Sequence, residues 1–204
     1  NELGHPLVLD PVGAGASAFR KEILEKLLSE LHPSCIRGNQ SEMAALMGLV
    51  VPSRGVEDAG LSLDPRKLQD LARQLNTVLA VTGETDYAIS PNQILESQTG
   101  TPLLKRITGS GCMLSGFLSA SIGAFYRKKK TEGKLRSNGP DTEDSDLSGK
   151  SAEGKFQANP ADPEEILSVV QESLVTYGHL ASLAEEEMKT GRMQGTMTFR
   201  TLFI

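Results

Sequence analysis

Leu7-Val8-Leu9-Asp10-Pro11-Val12-Gly13-Ala14-Gly15-Ala16 reads as a short apolar strand, an acid at its carboxyl end and a glycine-rich turn. Behind the turn, Phe19, Ile23, Leu24, Leu27, Leu28 and Leu31 recur at helical spacing and form one apolar stripe. Strand, turn and helix in this order are the unit of α/β folds, whose strands lie parallel and whose helices cross back over the sheet. A buried strand is therefore expected to end at Asp10, on the edge where open α/β sheets bind ligands. An Asp before Pro also serves simply to accept N–H groups of the following turn, and the residues leave both roles open.

The same unit recurs downstream. Ser34-Cys35-Ile36-Arg37-Gly38-Asn39-Gln40-Ser41-Glu42 is a strand ending in polar residues before a helix expected from Met43 to Met47. Asn39 and Glu42 stand three apart, the spacing of a capping box, in which a glutamine would serve as well as the glutamate. A cap has no use for Arg37, whose planar fork suits phosphate oxygens. Asp64-Pro65 opens a helix with the stripe Leu68, Leu71, Ala72 and Leu75. Thr77-Val78-Leu79-Ala80-Val81-Thr82-Gly83-Glu84-Thr85-Asp86 follows as a buried strand closed by Thr-Gly, which alone reads as an ordinary turn. Further strands are expected near residues 87–90 and 94–97.

Lys105-Arg106-Ile107-Thr108-Gly109-Ser110-Gly111-Cys112 then runs into an apolar helical stretch from Met113 to Phe125. A glycine turn that opens a helix gathers backbone N–H groups, here of Gly109, Ser110 and Gly111, at the positive end of a helix dipole and so suits an anion. Cys112 in the first turn is expected to have a lowered pKa from the dipole, Lys105 and Arg106, which would make it a base or nucleophile. The alternative is a tight strand-to-helix connection of small residues.

With 204 residues, 38% of them apolar, the chain is long enough for one substantial core. A net charge of −5 without a sustained basic patch argues against nucleic acid as a partner, and the run Lys128 to Lys130 is too short to change that. No stretch approaches the about 20 apolar residues of a membrane span, and no charged-then-apolar leader opens the chain. Cys35 and Cys112 suggest neither a disulfide framework nor a metal site, so a soluble, cytoplasmic protein in a reducing compartment is expected. Residues 127–159 are rich in Lys, Glu, Asp, Ser and Gly and should form a disordered low-complexity insertion. Asp162-Pro163-Glu164-Glu165 restarts a helix, with Asp162 as N-cap and Glu165 completing a capping box.

Asp10 to Ala16, Arg37 to Glu42, Ala80-Val81-Thr82-Gly83 and Thr108-Gly109-Ser110-Gly111-Cys112-Met113-Leu114-Ser115 occur in the order and at the spacing of the hydroxyethylthiazole kinase family, a branch of the ribokinase-like superfamily, and the chain resembles that family through them. Arg37-Gly38-Asn39 points to the thiazole branch, since the hydroxymethylpyrimidine kinases usually read Thr-Pro-Asn there; a kinase of that type remains an alternative. Related dehydratases tend to carry Asp where this chain has Cys112. The resemblance implies a three-layer α/β/α sandwich with a mostly parallel central sheet, made of residues 1–126 and 160–204. It further implies ATP-dependent phosphorylation of 4-methyl-5-(2-hydroxyethyl)thiazole in thiamine biosynthesis or salvage. Cys112 would take the hydroxyl proton, with Gly109, Ser110 and Gly111 holding the moving phosphoryl group. Arg37 and Thr82 would contact ATP, Gly109 the thiazole, and Asp10 and Glu42 Mg²⁺. A homotrimer with sites between subunits is also implied.

The family has several strands and helices before its Asp-Pro-Val-Gly segment, whereas this chain starts at Asn1. It is therefore expected to lack N-terminal strands that supply a thiazole-contacting methionine and part of the nucleotide site. Gly195-Thr196-Met197-Thr198-Phe199 departs from the family's Gly-Pro-Gly-x-aromatic pattern as well. Fungal relatives often fuse the kinase to a thiamine-phosphate synthase, and such a parent is one expectation. A non-catalytic remnant is the competing one.

Overall fold

A computed structural model of the chain describes residues 5–48, 63–137, 162–191 and 195–203. Five strands form one sheet in chain order: β1 (Val8–Leu9), β2 (Cys35–Asn39), β3 (Val78–Thr82), β4 (Asp86–Ile89) and β5 (Ile94–Ser97). The helices are α1 (Ala18–Glu30), α2 (Gln40–Leu46), α3 (Pro65–Leu75), α4 (Ser110–Ser137), α5 (Pro163–Thr190) and α6 (Thr196–Phe203).

Side chains alternate across the sheet, and each face has its own core. Cys35, Val78, Ala80 and Ala88 meet Leu114, Leu118 and Ile122 of α4 and Ile166, Val170 and Leu174 of α5. Ile36, Leu79, Val81 and Ile89 face the other way, onto Met43 and Ala44 of α2 and Leu68, Leu71 and Ala72 of α3. This is the expected sandwich, with helices on both faces of the sheet.

The sheet is mixed. β1, β2 and β3 pair in parallel, with Arg37 opposite Ala80 and Asn39 opposite Thr82, which sets the polar ends of β2 and β3 level. β3, β4 and β5 pair antiparallel, because residues 83–85 and 90–93 are too few for the crossover of a dozen or more residues that a parallel neighbour requires.

Several local expectations change. β1 is a half-buried two-residue edge strand, not a buried one. The α1 stripe buries Leu24, whereas Phe19 and Ile23 remain 69% and 43% exposed. α2 starts at Gln40, directly after its Asn39 cap, rather than at Met43. α4 continues to Ser137, past the point where the insertion was expected to begin, and residues 138–161 lie outside the described residues. Asp162 caps α5 by accepting from Glu164 N at 3.1 Å, while Glu165, expected to complete a capping box, pairs with Lys129 of α4. Glu164 instead accepts from Ser90 Oγ at 2.8 Å and Asn92 N at 3.0 Å, tying α5 to the β4–β5 turn. Among the described residues no helix is long and apolar enough to cross a membrane.

Candidate active site

The carboxyl ends of β1, β2 and β3 and the first turn of α4 converge on Arg37. Its Nη1 lies 3.4 Å from Asp10 Oδ2, and its Nη2 donates to Thr82 Oγ1 at 3.1 Å. The guanidinium also presses on the α4 turn, since a Cβ built on Gly111 would stand 2.6 Å from Nη1. Only glycine admits that approach. Three segments far apart in sequence thus meet at one cation whose side chain is 12% exposed. Its field lowers the pKa of Cys35, Glu42, Asp86 and Tyr177, in each case against the larger effect of burial.

Asp10 is held from two sides. Besides Arg37, Ser115 Oγ donates to Oδ2 at 2.5 Å. Ser115 sits one helical turn after Gly111, whose carbonyl is 3.1 Å from the same hydroxyl. Asp10 Oδ1 and Arg37 Nε are buried with no hydrogen-bond partner among the described residues. A buried carboxylate oxygen left without a donor fits a cation, and a buried guanidinium N–H left without an acceptor fits an anion.

Glu42 is buried and already engaged. Oε2 accepts from Asn39 N at 2.9 Å while Asn39 Oδ1 accepts from Glu42 N at 2.9 Å, which completes the capping box. Oε1 accepts from Gly13 N at 3.0 Å and so pins the glycine turn after β1 to the start of α2. Gly13 has φ +67°, in the region that favours glycine. Burial pushes the Glu42 carboxyl upward, the Asp10 carboxylate adds to this, and the two N–H groups and Arg37 oppose it. The expectation that glutamine would serve equally well is corrected by the second contact, because glutamine has one acceptor oxygen for two N–H groups. Glu42→Gln should lose roughly 1–3 kcal/mol of stability by leaving one buried N–H facing an NH₂. Chemical denaturation measures this, and an unchanged midpoint would contradict it.

The turn before α4 differs from a strand-to-helix connection. A 3₁₀ helix, Pro102–Arg106, precedes it, and Lys105 and Arg106 are exposed there. Gly109 takes φ +90° with open space where a Cβ would stand. Ser110 N bonds Ile107 O and Met113 N bonds Gly109 O, which leaves the Gly111 and Cys112 N–H groups of the first helical turn without an intrahelical acceptor. Cys112 is exposed beside them, whereas Cys35 is buried and its thiol is pushed up to about 12 by that burial.

Two residues with no role assigned from sequence join the site. Asp86 Oδ1 accepts from Gly83 N at 3.0 Å and closes the turn that presents Thr82. Tyr177 of α5 donates to Ser110 O at 2.6 Å. Asp86 could have been noticed, since an Asp three residues after a Gly is a turn signal. Nothing in the sequence marks Tyr177.

Burial pushes the Asp86 carboxyl up to about 6, with Gly83 N and Arg37 opposing. The folded value lies above the unfolded one of about 3.9, so the folding penalty for ionising Asp86 is absent at low pH and grows as pH rises through the interval from about 4 to 6. Asp86→Asn keeps an acceptor for Gly83 without the charge. It should melt a few degrees above the wild type at about pH 8, and the difference should vanish near about pH 4. Melting curves across that range test this, and a variant less stable than wild type at the upper end would contradict it.

Helices on both faces of the sheet and a polar cluster at the carboxyl ends of its strands define a three-layer α/β protein with its candidate site at the edge where such folds take ligands. A sequence model of the hydroxyethylthiazole kinase family matches residues 1–137, and the chain belongs to that family. It is 41% identical over 121 residues to a hydroxyethylthiazole kinase of Moorella thermoacetica, an alignment covering 59% of this chain and 45% of that relative. With a hydroxyethylthiazole kinase of Natranaerobius thermophilus it shares 42% over 125 residues, covering 61% of this chain and 46% of the other. The solved structure of a hydroxyethylthiazole kinase protein from Pyrococcus horikoshii aligns over 100% of this chain and 59% of that one, with a TM-score of 0.62 and 30% identity. The chain spans about half the length of the curated relatives it matches.

Proposed function

We propose that this protein works as a hydroxyethylthiazole kinase, moving the γ-phosphoryl group of ATP to the primary hydroxyl of 4-methyl-5-(2-hydroxyethyl)thiazole on the route to thiamine. The observation that carries this reading is the meeting of Asp10, Thr82 and Gly111 on Arg37, which brings all four family segments together at one half-buried cation. In phosphoryl transfer a protein mainly positions the reactants and offsets spreading charge. Arg37 and Thr82 hold phosphate oxygens, and the Gly111 and Cys112 N–H groups, with the open backbone at Gly109 and Ser110, face the moving phosphoryl group. Cys112, exposed at that turn, accepts the proton of the substrate hydroxyl. Gly109, with open space where a side chain would stand, adjoins the thiazole.

Among the described residues no group of three or more His, Cys, Asp or Glu is placed to hold a metal ion. The pair Asp10 and Glu42 nevertheless fits Mg²⁺ held largely through water, because the buried Asp10 Oδ1 has no hydrogen-bond partner among the described residues and both carboxyl groups stand at the carboxyl edge of the sheet. Mg²⁺ bound there would offset charge on the triphosphate. The reading includes a cytoplasmic homo-oligomer, a trimer by resemblance; exposed Phe19, Leu180, Leu183 and Met197 support further burial in an assembly.

The test is transfer of labelled γ-phosphate from ATP to the thiazole alcohol by the protein at its natural length, with Mg²⁺ titrated and hydroxymethylpyrimidine as the competing acceptor. Mg²⁺-dependent thiazole phosphate is the expected product. Phosphorylated pyrimidine would move the protein to the sister class, and no transfer to either acceptor would favour the non-catalytic remnant.

A further inference from the structure

The Ser110–Gly111 peptide is gripped from outside its own helix. Tyr177 lies on α5, 67 residues further along the chain, and its phenol donates to Ser110 O at 2.6 Å. Ser110 is also tied by its hydroxyl to Leu104 O at 2.9 Å and by its N–H to Ile107 O at 3.3 Å. The Tyr177 ring cannot drift easily. It meets Phe203 edge to face at 5.0 Å between centroids and lies 6.4 Å from the Phe117 ring. Its neighbour Gly178 packs so closely on Thr99 that a Cβ there would lie 2.3 Å from Thr99 Oγ1, which fixes the height of α5.

A trans peptide is planar, and its C=O and N–H point in opposite directions. The Ser110 oxygen lies in the ladder of α4, and the bond from Tyr177 adds a second hold from the side, which steadies the direction of the Gly111 N–H, one of the two donors in this turn without an intrahelical acceptor. We propose that Tyr177 is a positioning residue of the phosphate-holding turn, its phenol on the Ser110 carbonyl aiming the Gly111 N–H, and with it that of Cys112, at the phosphoryl group. The inference rests on the reading of this turn given under the proposed function. Burial keeps the phenol protonated, pushing it up to about 12, so the donor persists at every physiological pH.

Inorganic phosphate is the probe, titrated while the Gly111 and Cys112 amide resonances are followed. Tyr177→Phe removes the donor and keeps the ring, and it should weaken phosphate binding at those amides about fivefold, the worth of one hydrogen bond. Ser182→Ala is the control. It removes a hydrogen bond of α5 to Gly100 O, at 3.3 Å, without touching Ser110, and should leave phosphate affinity unchanged. In the transfer assay Tyr177→Phe should lower kcat and spare KM for the alcohol, as expected of an interaction made with the moving group. Should Tyr177→Phe fail to fold, difluorotyrosine at this position keeps the packing but gives up its proton at lower pH. Phosphate affinity relative to the wild type at the same pH should then fall with rising pH.

Equal phosphate affinity in Tyr177→Phe and wild type overturns the inference. So does an equal loss in Ser182→Ala, or a wild type whose Gly111 and Cys112 amides ignore phosphate. Tyr177-dependent phosphate binding in a protein that transfers nothing to either alcohol would uphold the inference and overturn the kinase reading.

Discussion

Gly178→Ala should destabilise the protein by about 3 kcal/mol and lower its melting temperature by roughly 10 °C. The added methyl would stand 2.3 Å from Thr99 Oγ1, 2.7 Å from Thr99 Cβ and 2.9 Å from the Thr99 carbonyl carbon. Rotating the threonine side chain relieves the first contact but not the last, which is backbone. Relief requires α5 to move, and α5 carries Ile166, Val170 and Leu174 into the core on one face of the sheet. Gly116→Ala supplies the opposite sign. Gly116 lies within α4 with nothing within 4 Å of its built Cβ, so alanine there should add about 0.5–1 kcal/mol through helix propensity alone. Thermal unfolding of the two variants side by side is the measurement. A Gly178→Ala variant as stable as wild type would show that the approach of α5 to Thr99 is slack.

Cys112→Ala should lower kcat for thiazole phosphorylation about a hundredfold or more, the usual contribution of a positioned base. Cys112→Asp should retain activity that alanine loses, because a carboxylate at the same turn still accepts a proton. The folded protein should be alkylated at Cys112 and protected at Cys35, since the first thiol is exposed and the second is buried among apolar side chains, where its thiolate is disfavoured. Full turnover by Cys112→Ala would remove the thiol from the chemistry. Equal labelling of both cysteines would remove the distinction between them.

Local chemistry carried much of the site into the sequence. Asp10 at a strand end, Arg37 beside a capping pair and the Gly109-Ser110-Gly111-Cys112 turn were legible as candidates because each is a short-range pattern, in which a strand stops where polar residues begin and a helix starts where a cap or glycine allows it, whereas Thr82 before a glycine reads alone as an ordinary turn and joined them only through the family resemblance. The same locality explains what was missed. Tyr177 reaches Ser110 across 67 residues and Ser115 reaches Asp10 across 105, and no spacing rule spans such distances. Glu42 is the mixed case. Its capping box is local and was anticipated, whereas its bond to Gly13 N crosses from α2 to the turn after β1 and changes what a glutamine there can do.

Helical spacing picked out the inward face of α3, and an unbroken apolar run marked β3 as buried, because both are properties of neighbours in the chain. The direction of β4 and β5 also follows from the chain, through the short connections of residues 83–85 and 90–93 rather than through strand composition. Two things rest on the packed fold. It left Phe19 and Ile23 exposed although their helical stripe reads as a core face, since what covers a stripe depends on which element packs against it. It also placed one guanidinium where Asp10, Thr82 and Gly111 meet, a convergence that exists only once β1, β2, β3 and α4 are held side by side by the apolar layers beneath them.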